Sequence, residues 1–330
     1  DEKYDKMHAC AKHFAVHSGP EWNRHTFNAE NISPRDLYET YLPAFEALVK
    51  EGNVKEVMCA YNRFEGDPCC NSDQLLINIL RNEWNYQGIV VSDCWAIADF
   101  FREENSHHTH PDSASASAAA VLSGTDLECG DSYQSLVNGV KRGLIKESDL
   151  DVSVKRLLKA RYELGEMDDP AEVSWTKIPY SVVASKEHHE QALDMARKTM
   201  TLLQNKNHAL PIQRGGKTIA VMGPNANDSI MQWGNYNGEP ASTITILDGI
   251  RSAAGQDDKI VYIPGCSWVE STLTLDDHTK VEVNIPKTVA QVKDADVVIF
   301  VGGITPRLEG EEMGVALPGF KGGDRTDIEL

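Results

Sequence analysis

Strand-like and helix-like segments take turns along the first half of this chain, and that alternation constrains the fold more than any other feature. "MHACAKHFAV", "EVMCAYN", "GIVVSD" and "TDLEC" read as short buried strands. Between and after them, "SPRDLYETYLPAFEALVKEG", "NSDQLLINILRNEW", "SASASAAAVLSG", "SYQSLVNGVKRGLI" and "KESDLDVSVKRLLKARYELG" read as helices. Ser33 is placed to cap the first of these, with Pro34 at its first position and Gly52 past its end. Asn71 or Ser72 is placed to cap the second, and Gly165 stops the last. Such alternation implies parallel strands joined by right-handed crossovers, either half of an eight-unit barrel or one open sheet.

The texture changes at Met167. Residues 167–188 carry two prolines and little periodicity, as a linker does. Beyond them, "HEQALDMARKTMTLLQN" and "TITILDGIRSAAG" read as helical, and "KTIAVM", "KIVYIPG" and "DADVVIFVGG" as strands. The expected organisation is therefore one α/β unit over 1–166, a linker over 167–188 and a second α/β unit over 189–330.

Composition narrows the partners. With 330 residues and a formal charge of −18, the surface repels nucleic-acid phosphates and anionic membranes. No apolar run reaches the ~20 residues of a membrane span. The seven cysteines contain no C-x-x-C pair, which argues against structural zinc, and their odd number leaves at least one thiol unpaired if the others are bridged. Three histidines in "HHTHP" (His107, His108, His110) sit in what reads as a flexible polar loop, a poor setting for a metal.

Ligands in parallel α/β architectures gather at the carboxyl ends of the strands. The first strand offers Lys12 and His13 there. The second offers Tyr61 and Asn62, with Met58 just inside. The third offers Asp93 and Trp95, and the fourth Asp126 and Glu128. In the second unit, "VVIFVGG" leads to Glu309, Glu311 and Glu312. Carboxylates, a cation and an indole on one rim suit a carbohydrate, whose ring face stacks on an aromatic. Glycoside cleavage with retention needs two carboxyl groups about 5–5.5 Å apart, one a nucleophile and one an acid/base. Asp93, held ionised by a neighbour such as Lys12, and one of the loop glutamates meet that need. The same residues also read as a helix-capping aspartate and a solvated acidic loop.

Taken together, these stretches resemble glycoside hydrolase family 3. "ACAKHFAVHSG" looks like its Lys-His substrate-binding strand, "VMCAYNRFEGDPCCNS" like its Met-x-x-Tyr-Asn strand, and "GIVVSDCWAI" like its nucleophile strand. "GTDLECG" looks like the next barrel strand, and "ARKTMTLLQNKNHALPI" like the entry to its second domain. The resemblance implies the C-terminal part of a (β/α)8-type barrel, from about the fourth strand onward, followed by part of an α/β sandwich domain. It implies that the chain is a fragment, inactive alone. It implies retaining, exo-acting removal of single sugars from β-glycosides. Asp93 is then the nucleophile, and Glu311 the acid/base with Glu309 as the alternative. Lys12, His13, Met58 and Tyr61 shape the sugar site, and Trp95 lies one position from the family's aromatic. No metal or organic cofactor is implied.

"SDC", "TDLECG", "GDPCCN" and "GNYNGEP" look most like the β-xylosidase branch, some of whose members accept arabinofuranosides. The expected substrate is a xylo-oligosaccharide or related β-glycoside. A β-glucosidase, an inactive carbohydrate-binding relative and a phosphate-binding α/β enzyme are the rivals. The branch is commonly exported, so the expected location is periplasmic or secreted. Cys94 and Cys129 follow the ends of successive strands, which lie about 4.8 Å apart, so a disulfide between them is expected. Such a bridge would fill the space that a hydroxymethyl group needs, favouring xylose over glucose.

Overall fold

The computed structural model describes residues 3–17, 19–270, 272–274, 280–308 and 311–328. The chain divides into two compact units, residues 1–194 and 195–330. The division falls inside helix Lys186–Thr199, a few residues past the start expected at 189.

In the first unit, β1 (Cys10–Phe14), β2 (Glu56–Cys59) and β3 (Ile89–Ser92) form a parallel sheet in that order. All four residues of β3 are buried, because helices cover both faces of a parallel sheet. The core gathers Phe14, Val57, Leu75, Leu80, Val90 and Phe100 around this sheet. The expected fourth strand is reduced to one bridge, Val91 to Leu127. Its neighbour Asp126 explains this. The Asp126 carboxylate accepts from the Val90 N–H at 3.0 Å and turns into the interior to meet two arginines.

The first long helix is also not continuous. Ser33 Oγ caps it as expected, accepting the Asp36 N–H at 3.0 Å. Pro43, however, has no N–H to donate, and the turn before it widens so that Leu42 N–H bonds to Leu37 O at 2.9 Å. A new helix, α1, then runs over Pro43–Lys50. The segment Asp73–Glu83 is helical with the same wide winding, and Ser72 Oγ caps it by accepting from Leu75 N–H. Helices α2 (Ser113–Leu122), α3 (Leu136–Lys141) and α4 (Glu147–Glu163) complete the unit.

Residues 167–188 fold back onto the first unit. Tyr4 OH donates to Asp168 at 2.8 Å, and the Trp175 indole donates to the Tyr4 carbonyl at 2.9 Å. Val173 is buried. The polar composition of this stretch therefore reports an irregular strap of short turns.

In the second unit, β4 (Thr218–Met222) is the centre of a parallel sheet, flanked by β5 (Lys259–Ile263) and β6 (Val297–Phe300). Helices α5 (Ile246–Ala253) and α6 (Ile285–Val292) accompany it. Gly223 closes β4 at φ +109°, where an added Cβ would lie 2.3 Å from the Val301 carbonyl oxygen. Only glycine lets the two strand ends approach this closely.

Candidate active site

Asp93 follows β3 directly and is 6% exposed. One carboxylate oxygen, Oδ1, accepts the Cys94 N–H at 2.8 Å. The other, Oδ2, lies 3.1 Å from His13 Nε2 on β1. Burial works against the charge on Asp93. The His13 contact, the Cys94 N–H and the Lys12 charge outweigh it and hold the carboxyl below its ordinary range. The group is thus a buried anion at neutral pH, directly after the last residue of β3. Lys12 itself is exposed, as is Cys10, with Ala11 buried between them; the regular pairing of β1 is interrupted between Ala11 and Phe14.

Met58 lies on β2 in register with Val91 and is partly exposed, between buried Val57 and Cys59. Tyr61 is buried, and its hydroxyl donates to the Cys94 carbonyl at 2.6 Å. Trp95 is 46% exposed and adopts φ +67°, an uncommon conformation for a bulky residue. Its N–H donates to the Cys129 carbonyl at 2.6 Å, which holds the turn, and its indole remains open to solvent. Cys94 and Cys129 are joined by a disulfide, with their Cα atoms 4.4 Å apart. A buried carboxylate, a histidine, a lysine, a fixed tyrosine, an open indole and a cystine thus share the carboxyl ends of three neighbouring strands.

Two other expected carboxylates do different work. Asp126 is 4% exposed and bonds Arg81, Arg156 and Ser153 at 2.7, 2.7 and 2.9 Å. It ties α4 and the helix before β3 to the sheet. Glu128 accepts the Ser132 and Tyr133 N–H groups at 3.0 and 2.6 Å and fixes a turn. In the second unit, Glu311 is partly buried and accepts a hydrogen bond from Tyr236 OH. Glu309 lies outside the described residues.

A second disulfide, which no local sequence signal marks, joins Cys59 to Cys70 and leaves Cys10, Cys69 and Cys266 as thiols. The polar stretch "HHTHP" reads as a flexible loop, whereas His107 within it is buried. Among the described residues, the one group spaced to hold a metal is Asp5, His8 and Glu163. There Lys55 Nζ already lies 3.3 Å from Asp5 and 3.4 Å from Glu163, supplying the positive charge itself.

The description "Glycosyl hydrolase family 3 N terminal domain" matches residues 2–160, and "Glycosyl hydrolase family 3 C-terminal domain" matches residues 200–330. A xylan 1,4-beta-xylosidase of Xylanibacter ruminicola is 38% identical, over all of this chain and 54% of the relative. A beta-xylosidase/alpha-L-arabinofuranosidase of Medicago sativa subsp. varia is 32% identical, over 95% of this chain and 40% of the relative. Among solved structures, a GH3 exo-beta-xylosidase (XlnD) in complex with a xylobiose aziridine activity-based probe superposes with a TM-score of 0.82 at 29% identity. It covers 94% of this chain, which in turn spans 39% of it. A b-glucosidase from Erythrobacter marinus superposes at 0.78 with 25% identity, over 93% of this chain and 42% of its own. The chain therefore spans about half, or less, of the length of the relatives it matches. The chain belongs to glycosyl hydrolase family 3.

Proposed function

We propose that this chain carries the catalytic residues of a retaining, exo-acting β-xylosidase that releases single sugars from the non-reducing ends of xylo-oligosaccharides. Activity on arabinofuranosides is an extension of the same reading, in keeping with the name of the Medicago relative. The first unit is read as part of a (β/α)8-type barrel and the second as part of an α/β sandwich.

In this mechanism Asp93 attacks the anomeric carbon and the glycosidic C–O bond breaks. A carboxylic acid, assigned to Glu311 with Glu309 as the alternative, gives its proton to the leaving oxygen. The same group, now a carboxylate, takes a proton from the water that hydrolyses the glycosyl-enzyme ester. Lys12 and His13 hydrogen-bond sugar hydroxyls, Met58 and Tyr61 line the site, and Trp95 offers a stacking face. The observation that carries the reading is the ionised Asp93, paired with His13 at 3.1 Å and flanked by the Cys94–Cys129 bridge. A cystine beside the nucleophile takes up room that glucose needs for its hydroxymethyl group and xylose does not. Two disulfides also suit an oxidising compartment, so we assign the protein to the periplasm or the cell exterior.

The test uses the complete protein. It should hydrolyse nitrophenyl β-xyloside in preference to nitrophenyl β-glucoside, and a 2-fluoro-xylosyl reagent should label Asp93. The Cys94→Ala/Cys129→Ala variant should narrow the gap between the two sugars. A preference for the glucoside in the unmodified protein would make it a β-glucosidase of the same family, and label on another carboxylate would displace Asp93.

A further inference from the structure

Asp99 is a fully buried carboxylate in the turn after the nucleophile strand, outside the set of residues assigned above. A buried carboxylate is costly unless it is paired. Asp99 Oδ2 lies 2.7 Å from His25 Nδ1, and Oδ1 lies 3.6 Å from an Arg102 guanidinium nitrogen. Its main-chain oxygen accepts the His107 N–H at 2.7 Å. One residue thus anchors two histidines from distant parts of the chain.

Both histidines reach Tyr61. The His25 ring meets the Tyr61 ring edge-to-face, centroids 4.7 Å apart. His107 Nε2 lies 2.7 Å from the Tyr61 carbonyl oxygen. That oxygen can only accept, so Nε2 carries the hydrogen and the tautomer is set. The Arg24 guanidinium covers the Tyr61 ring at 4.7 Å and is itself held by Glu21 at 3.0 Å. Tyr61 in turn grips the Cys94 carbonyl, and the Cys94 N–H grips Asp93 Oδ1.

We propose that Asp99, His25 and His107 are positioning residues that fix Tyr61 and, through it, the turn that holds Asp93. The inference rests on Asp93 being the nucleophile and is independent of which sugar is cleaved. The carboxylate must sit in line with the anomeric carbon, and a shift of ~1 Å at a reacting group costs on the order of 100-fold in rate. None of the three needs to touch the substrate, so their loss acts on turnover more than on binding.

The experiment compares His107→Leu, which removes the donor to Tyr61, with His107→Gln, which keeps an N–H donor, and with Asp99→Asn. Each is made in the complete protein. Turnover of the better nitrophenyl glycoside is expressed per site labelled at Asp93 by the fluorosugar, which removes unfolded protein from the comparison. His107→Leu and Asp99→Asn should lower kcat about 10- to 100-fold, with KM changed by no more than about threefold, and His107→Gln should recover most of the loss. Labelling at Asp93 combined with unchanged kcat per site in His107→Leu overturns this inference alone. Failure of the unmodified protein to label at Asp93 overturns the nucleophile assignment, and this inference with it.

Discussion

At the scale of single residues, the charge state of Asp93 is decided by contacts that a neighbour-by-neighbour reading of the sequence only half supplies. The sequence points to Lys12 as its partner, and the structure brings His13 Nε2 to 3.1 Å from Oδ2. In the complete protein Asp93→Ala should cost about 4 kcal/mol or more of transition-state stabilisation, roughly a thousandfold in kcat/KM. Steady-state kinetics on the nitrophenyl xyloside measure this, and a loss under tenfold would return Asp93 to the role of a turn cap. His107 makes a separate prediction about stability. Burial lowers its pKa to about 4, against the Tyr61 carbonyl contact, which raises it. The folded value is therefore below the unfolded value of about 6.5. Between those two values the unfolded chain binds more protons than the folded one, so stability falls as pH drops from about 6.5 to about 4 and changes no further below that through this group. The loss is on the order of 3 kcal/mol. Thermal melts at pH 7 and pH 4.5 should differ less in His107→Gln than in the unmodified protein. Parallel pH dependence in the two proteins would mean that His107 is not the titrating group.

At the scale of elements, Asp126 illustrates how one buried charge fixes the packing of several. It draws Arg81 from the helix Asp73–Glu83 and both Arg156 and Ser153 from α4. The Asp126 side chain is fully buried and that of Arg81 is 8% exposed. Replacing Asp126 by Asn keeps the shape and leaves the Arg81 charge uncompensated, a change that costs about 3–5 kcal/mol when a buried pair is broken. Urea denaturation of Asp126→Asn should show a midpoint lowered accordingly, and the loss should shrink when Arg81→Met is added. A stability change under 1 kcal/mol would show that the network contributes little. The same aspartate explains the missing fourth strand, since its side chain takes the Val90 N–H that a regular ladder would share otherwise.

At the scale of the whole molecule, each unit has its own sheet and its own core. Glu311→Ala in the complete protein should spare substrates whose leaving group needs no proton and impair those that do. We expect about a tenfold loss or less on 2,4-dinitrophenyl xyloside and a loss of about a thousandfold on xylobiose, the share attributed to general acid catalysis. Azide should restore turnover of the activated substrate by replacing water. Equal losses on both substrates would move the acid/base role to another carboxylate, Glu309 first.

The sequence by itself determined the α/β class, the order of the elements and the rim on which chemistry-bearing residues would meet. It could do so because buried strands, helix caps and strand-ending polar residues are local signals carried by periods of 2 and 3.6. Asp93, Lys12, His13 and Tyr61 were legible in that way, as strand-end residues in the right succession. Tertiary structure alone decided which polar groups became partners. Asp126 and Glu128 carry the same local signature as Asp93, yet one is consumed by arginines 45 and 30 residues away and the other by the turn after it. Pairing of Cys59 with Cys70, burial of His107, and the meeting of Asp99 with His25 across 74 residues also leave no local trace. A side chain's period along the chain says which way it points. Its charge, tautomer and partner depend on what the rest of the fold brings within about 3 Å.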